Sequence, residues 1–255
     1  METLAIDVTY YEYERLTELD EADCHRRSLR WELPLQQVAL VLVDVWSEHY
    51  IQTHLERATR ITRERIVPVL RAFRQLGALV VHGPSPDCAR KYAAFLEAEV
   101  ENPWPPGADW PPAEFRRREG KYASFARPGM EQSAEYDRII RQRRIVPEAE
   151  PGGDDRVVAN GEALHRLLAR RGGLFLFYMG FAANMCVPSR DYGMRAMKER
   201  GYEIVLVEDC TTAIEVGDTA GDLTLSRACA VDAALTIGYT TSSTELLEAC
   251  RRLKT

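Results

Sequence analysis

The chain has 255 residues, with 33 lysines and arginines against 39 aspartates and glutamates, for a net charge of −6. That acidic balance, with no basic run interleaved with aromatics, argues against nucleic acid as a partner. No apolar stretch approaches the roughly 20 residues of a membrane span, and METLAIDVTYYEYERL has neither a basic flank nor a continuous apolar core, so the expectation is a soluble, cytoplasmic protein with no membrane partner.

Residues 1 to 36 mix charged and aromatic side chains and read as an arm packed on the domain or on a neighbouring subunit. Val38 to Val45 (VALVLVDV) is the first core strand. Ile66, Val67, Leu70, Phe73 and Leu76 recur at helical spacing with Gly77 as the stop, and Ala78 to His82 is the second strand. Residues 83 to 150 form a long insertion holding ENPWPPGADWPPAEF and the basic stretch RIIRQRRI. Insertions of that length are usually lids, oligomer contacts or disordered loops, and Trp104, Trp110 and Phe115 favour an ordered lid or interface. Together with the arm they point to a homo-oligomer, a dimer or tetramer.

Beyond the insertion, strands are expected at Arg156 to Ala159, Leu174 to Met179, Glu203 to Val207 and Ala234 to Tyr239. Helices are expected at Glu162 to Arg171, Cys186 to Arg200, Leu223 to Ala233 and Thr244 to Leu253. Strand alternating with helix implies one α/β domain over residues 1 to 255, with a mostly parallel sheet, helices on both faces, and ligands beyond the carboxyl ends of the strands. The six cysteines carry no CxxC pair or regular spacing, so reduced thiols are expected and neither a disulfide framework nor structural zinc.

Cys186 falls where the apolar run Leu174 to Met179 and the turn Gly180 to Asn184 give way to a helix. In a first helical turn, unpaired backbone N–H groups and the macrodipole favour thiolate, which would lower the thiol pKa; the alternative is a small buried hydrophobe. Asp44 ends the first strand in an apolar setting, as a general base raised toward neutrality or as a cap on the following turn. A base next to a thiol is what a cysteine nucleophile requires.

GFAANMCV resembles the Gly-x-x-Thr-x-x-Cys-Val signature of the isochorismatase-like cysteine hydrolases, among them nicotinamidases, carbamoylsarcosine amidases and isochorismatases. LVLVDVWSEHY resembles their first strand, RDYGMRAMKERGYEIVLVEDCTTA the helix and strand after the cysteine, and ALTIGYTTSSTELLEAC their last strand and helix. The resemblance implies a three-layer α/β/α fold with a six-stranded parallel sheet in the order 3-2-1-4-5-6. It implies Cys186 as nucleophile and Asp44 as base in cleaving a small amide or related C–N bond, with no cofactor. Backbone N–H groups at residues 182 to 186, including Ala182 and Ala183, would hold the oxyanion, and a cis bond is expected at Ala182–Ala183. Isochorismatase-type members instead hydrolyse a vinyl ether without the cysteine in that role.

The chain departs from the pattern at the third catalytic position, where the family's lysine is matched in DRVVANGEALHRLL by Asn160. Lys121, in GKYASFARPG, is a candidate substitute, and a non-catalytic member binding a small molecule or partner is the alternative reading. Nicotinamidase-like members hold zinc with an Asp-x-His arrangement; here Trp46 and His49 follow Asp44, with His54 further on, and no pair has close ligand spacing, so no metal is expected. His49 and His82 are expected to contact a small-molecule substrate, with Trp46 as a wall for a planar one or as a packing residue. Asp209 is expected to be a structural cap.

Overall fold

The structure, a computed structural model, describes residues 2–14, 20–99, 111–126 and 134–253; Trp104 and Trp110 lie outside them. Eight strands form one sheet: β1 (Thr3–Tyr13), β2 (Cys24–Pro34), β3 (Val38–Val43), β4 (Leu79–Gly83), β5 (Arg156–Val157), β6 (Phe175–Phe181), β7 (Glu203–Thr212) and β8 (Tyr239–Thr241). Their order is β2-β1-β8-β7-β6-β3-β4-β5. The strands β3 to β8 run parallel and, counted from β3, take the expected order 3-2-1-4-5-6.

A strand buried on both faces reads as an unbroken apolar run, and every residue of β3 is buried. Its side chains divide by parity. Leu40 and Leu42 join the cluster holding Leu70 and Phe73 of helix Val67–Gln75, while Val41 and Val43 join the one holding Leu164 and Leu167 of helix Gly161–Arg171. Helices therefore cover both faces.

The N-terminal segment corrects both the strand count and the picture of an arm. β1 and β2 form an antiparallel hairpin that adds to the sheet through Thr9 opposite Thr240 of β8. Leu4, Ile6 and Val8 are fully buried and alternate with the half-buried Ala5, Asp7 and Thr9, which is the period-2 pattern of a strand covered on one face.

Two helix boundaries also differ. Helix Thr224–Asp232 continues as a wide turn over Ala233–Ile237, because Ala233, Ala234 and Ile237 bury at helical spacing, so β8 starts only after Gly238. The helix expected from Cys186 to Arg200 is broken into Cys186–Ser189 and Met194–Glu199. Between them Arg190 is extended (φ −61°, ψ 157°), and a Cβ on Gly193 would lie 2.8 Å from the Val187 carbonyl and 2.9 Å from Arg190 backbone atoms, so the chain doubles back closely there.

Candidate active site

The end of β3 and the turn after β6 meet over the carboxyl edge of the sheet. Asp44 adopts φ 49°, a left-handed conformation that Asp tolerates better than most residues, and its N–H donates to the Gly83 carbonyl at 3.2 Å. Gly180, at φ 114°, lets β6 pass so close that a Cβ there would sit 1.9 Å from the Val43 carbonyl oxygen. Only glycine allows that approach.

Three side chains converge at this point. Arg190 Nη2 donates to Asp44 Oδ2 at 3.0 Å, and the Cys186 thiol lies beside the same carboxyl. Burial pushes the Asp44 pKa up, against the pull of Arg190 and Cys186, and the carboxyl is only 1 % exposed. Burial, then the charge of Asp44, push the Cys186 thiol up to about 12. This reverses the expected lowering: a four-residue helix has little dipole to offer, and the nearest charge is a carboxylate. At neutral pH the proton rests on sulfur, with a base beside it.

The backbone around the cysteine is largely committed. The cis bond lies at Phe181–Ala182, one residue before the expected position. The Ala182 N–H faces the Cys186 sulfur, whereas the Ala183 N–H is taken by the Thr212 carbonyl at 3.0 Å and is not available to an oxyanion. The N–H groups of Asn184 and Cys186 have no backbone acceptor among the described residues. Asn184 itself is clamped by two 3.0 Å side-chain bonds to Ile214.

A cavity of about 210 Å³ opens onto Cys186, Arg190 and Ala182, walled by Trp46, His49 and Phe181. That is below the roughly 300–1,000 Å³ of drug-sized sites and suits a small substrate. The insertion supplies part of the lining. Its strand-like segment docks beside Asp44 through Val146 N–H to Val45 (3.0 Å), Ser47 N–H to Arg144 (2.9 Å) and the bridge Trp46–Ile145, and the preceding helix Ala134–Gln142 brings Tyr136, Ile140 and then Arg143 to the cavity.

Not every expected residue reaches it. Asn160 caps helix Gly161–Arg171, its Oδ1 accepting the Ala163 N–H at 2.8 Å, and does not line the cavity. Lys121 is exposed, 5.0 Å above the Tyr122 ring. His82 is buried with its Nε2 2.9 Å from Asp155, in a cluster completed by Arg74, away from the cavity. Asp209 accepts from the Ser243 N–H (2.7 Å) and hydroxyl (2.6 Å) at the start of the last helix, as a cap does.

The histidines at the cavity do not fit a zinc ion. His49 stacks between Trp46 and Tyr50 with Nδ1 accepting the Ile51 N–H at 3.0 Å, and His54 Nδ1 faces the Ala213 carbonyl at 3.2 Å. Their rings are 5.0 Å apart, but no third His, Cys, Asp or Glu joins them among the described residues. Burial lowers the pKa of both, that of His54 to about 4, so both are neutral at pH 7.

Arg190 was not legible as a site residue because an uninterrupted helix would carry it away from Asp44. The break is fastened by Asp191 Oδ2, which accepts the Gly161 N–H at 2.8 Å, and by Tyr192, whose hydroxyl donates to the Pro84 carbonyl at 2.7 Å. The signal was the string PSRDYG, in which a proline, an Asp and a glycine within six residues mark a turn.

The sequence matches the Isochorismatase domain family over residues 38–235. No curated protein matches it. Among solved structures, a cysteine hydrolase from Pseudomonas syringae pv. phaseolicola 1448A aligns with 88 % of this chain and 97 % of its own at 15 % identity and a TM-score of 0.56, a likeness of fold. N-carbamoylsarcosine amidase from Thermoplasma acidophilum aligns with 82 % of this chain and 98 % of its own, at 19 % identity and a TM-score of 0.43. Nicotinamidase/pyrazinamidase PncA from Bacillus subtilis aligns with 81 % and 100 %, at 15 % identity and 0.44. With the parallel sheet in the order 3-2-1-4-5-6 and the cysteine turn after β6, that match over most of its length makes this chain a member of the isochorismatase family.

Proposed function

We propose that the protein hydrolyses a small amide or related C–N bond, with Cys186 as nucleophile, Asp44 as base and Arg190 as the cation that the family pattern places elsewhere. The observation that carries this reading is the direct contact of Arg190 with Asp44, at 3.0 Å, beside the Cys186 thiol and open to one small cavity.

The protonated thiol requires the base to act as the bond forms. Asp44 takes the proton from Sγ while sulfur attacks the carbonyl carbon, and the oxygen becomes an oxyanion. The Cys186 N–H, without a backbone acceptor among the described residues, is placed to donate to that oxygen, and the Arg190 guanidinium, paired with the Asp44 carboxylate at rest, offsets the negative charge as it moves from Asp44 through sulfur to oxygen. Asp44 then returns the proton to the departing nitrogen, leaving a thioester. Water, deprotonated by the same carboxylate, attacks the thioester, and the proton returns to sulfur as the acid leaves.

The high thiol pKa favours a second reading, in which Asp44 transfers protons to a vinyl ether and sulfur is a bystander. A panel of small primary amides and vinyl ethers, assayed with wild type and Cys186→Ala, separates the two. Amide cleavage lost in the variant supports the cysteine route, and vinyl ether cleavage that survives it supports the other. No turnover of either class would leave a binding protein.

A further inference from the structure

The rim of the cavity carries a cation that the proposed chemistry does not use. Arg143 lies over the Trp46 ring, its Cζ 3.8 Å from the centroid, and donates to the buried Ser85 hydroxyl at 3.1 Å. It has no carboxylate partner among the described residues, in a chain where most arginines at comparable exposure have one. Its field reaches inward and acts on Asp44, His49 and Tyr50.

Two further donors at the cavity have nothing to donate to. Trp46 Nε1 and Arg190 Nε are buried without a hydrogen-bond partner among the described residues, and both residues line the cavity. Buried polar groups are nearly always paired, so orphans gathered around one opening mark the place of a ligand. The orphans on the cavity lining are both donors; the third buried orphan among the described residues, Asp44 Oδ1, is an acceptor that lies off the lining, on the carboxyl beside the Cys186 thiol. The lining itself contains two arginines and no carboxylate, with Asp44 beneath it already engaged by Arg190, and its two histidines are neutral. A positive site with unfilled donors calls for an anion with several acceptor atoms, and the planar guanidinium fork matches a carboxylate.

We infer that the substrate is an amide bearing a carboxylate a short distance from the scissile bond, and that Arg143, braced on Trp46, is the residue that binds that carboxylate. The inference rests on the hydrolase reading for the word substrate, but the carboxylate site stands on its own geometry. Contact with the indole and the bond to Ser85 hold the guanidinium in place before the ligand arrives, so little side-chain freedom is lost on binding.

The experiment uses malonamate, succinamate and glutaramate against their neutral isosteres, in which a methyl ketone replaces the carboxylate. For wild type and Arg143→Met, which keeps an apolar stem over Trp46, kcat and KM are measured on each pair. In parallel, calorimetry on Cys186→Ala and Cys186→Ala/Arg143→Met gives Kd without turnover. The expected result is a preference for the carboxylated member of at least one pair that falls roughly tenfold or more in Arg143→Met, expressed in KM and Kd and not in kcat. Equal preference with and without Arg143, or no carboxylate preference in Kd, overturns the inference. If no amide is hydrolysed while Kd still shows the Arg143-dependent preference, the hydrolase reading fails and the carboxylate site survives.

Discussion

The floor of the cavity and its rim balance charge in opposite ways. On the floor, Asp44, Cys186 and Arg190 balance charge among themselves: a buried carboxylate, a thiol that keeps its proton, and a guanidinium 3.0 Å away. On the rim, Arg143 and the Trp46 indole are left with donors unmatched by any acceptor of opposite charge. The floor comes from strand ends and the turn after β6, and the rim borrows from the insertion, both within the stretch that matches the family. On the proposed reading, the charge-balanced floor would serve chemistry common to many substrates and the uncompensated rim the choice among them.

Breaking the floor should cost most. Cys186→Ala is expected to lower kcat on an amide substrate by roughly 10⁴-fold or more, as removal of a nucleophile does, and Asp44→Asn by a similar order, since Asn tolerates the left-handed backbone at this position. Steady-state kinetics with the folded variants, verified by circular dichroism, measure both.

Arg190→Gln should cost about 10² to 10³-fold in kcat, the range for removing one preorganised charge-stabilising donor. It also carries a signed pH effect. Burial raises the Asp44 pKa and Arg190 holds it down, so the carboxylate is the active form above that pKa and activity falls as pH drops through it. Removing Arg190 therefore shifts the acid limb of kcat/KM to higher pH. A limb that stays in place would mean that Arg190 does not act on the base.

The link between the two regions is the helix break, and Gly193→Ala probes it. A Cβ 2.8 to 2.9 Å from backbone atoms of Val187 and Arg190 forces the turn to shift, costing about 1–3 kcal/mol of stability, together with a loss of kcat as Arg190 moves off Asp44. Denaturant unfolding and kinetics on the same preparation read the two effects.

The last effect, on stability alone and only toward acid pH, concerns the wall. His54 has its pKa lowered from 6.5 to about 4, so the folded state resists a proton that the unfolded chain accepts. Its contribution is fully present above about pH 6.5 and declines as pH falls toward about 4, by up to about 3 kcal/mol. His54→Gln should flatten stability against pH over that window.

Much of this was written in local patterns. The apolar runs gave the parallel strands, and the position of Cys186 after one and Asp44 at the end of another placed both at the same sheet edge. The hairpin was equally local, in the alternation of Leu4, Ile6 and Val8, but the charged and aromatic residues that follow them, from Tyr10 to Glu14, masked it. What could not be read is non-local. His82 ends an apolar strand as a pocket residue would, and its burial against Asp155 depends on a partner 73 positions away. Arg190 required a break in a helix that periodicity alone continues. Asn160 aligned with a catalytic position, yet a residue just before a helix serves equally well as its cap, and that is the bond it makes.

The most direct test is the mass of the protein after rapid acid quench during turnover of a small amide by Asp44-intact enzyme. The account predicts an acyl adduct that peptide mapping places on Cys186, and that is absent from Cys186→Ala. Turnover that persists in Cys186→Ala, with no adduct trapped in the wild type, would contradict it.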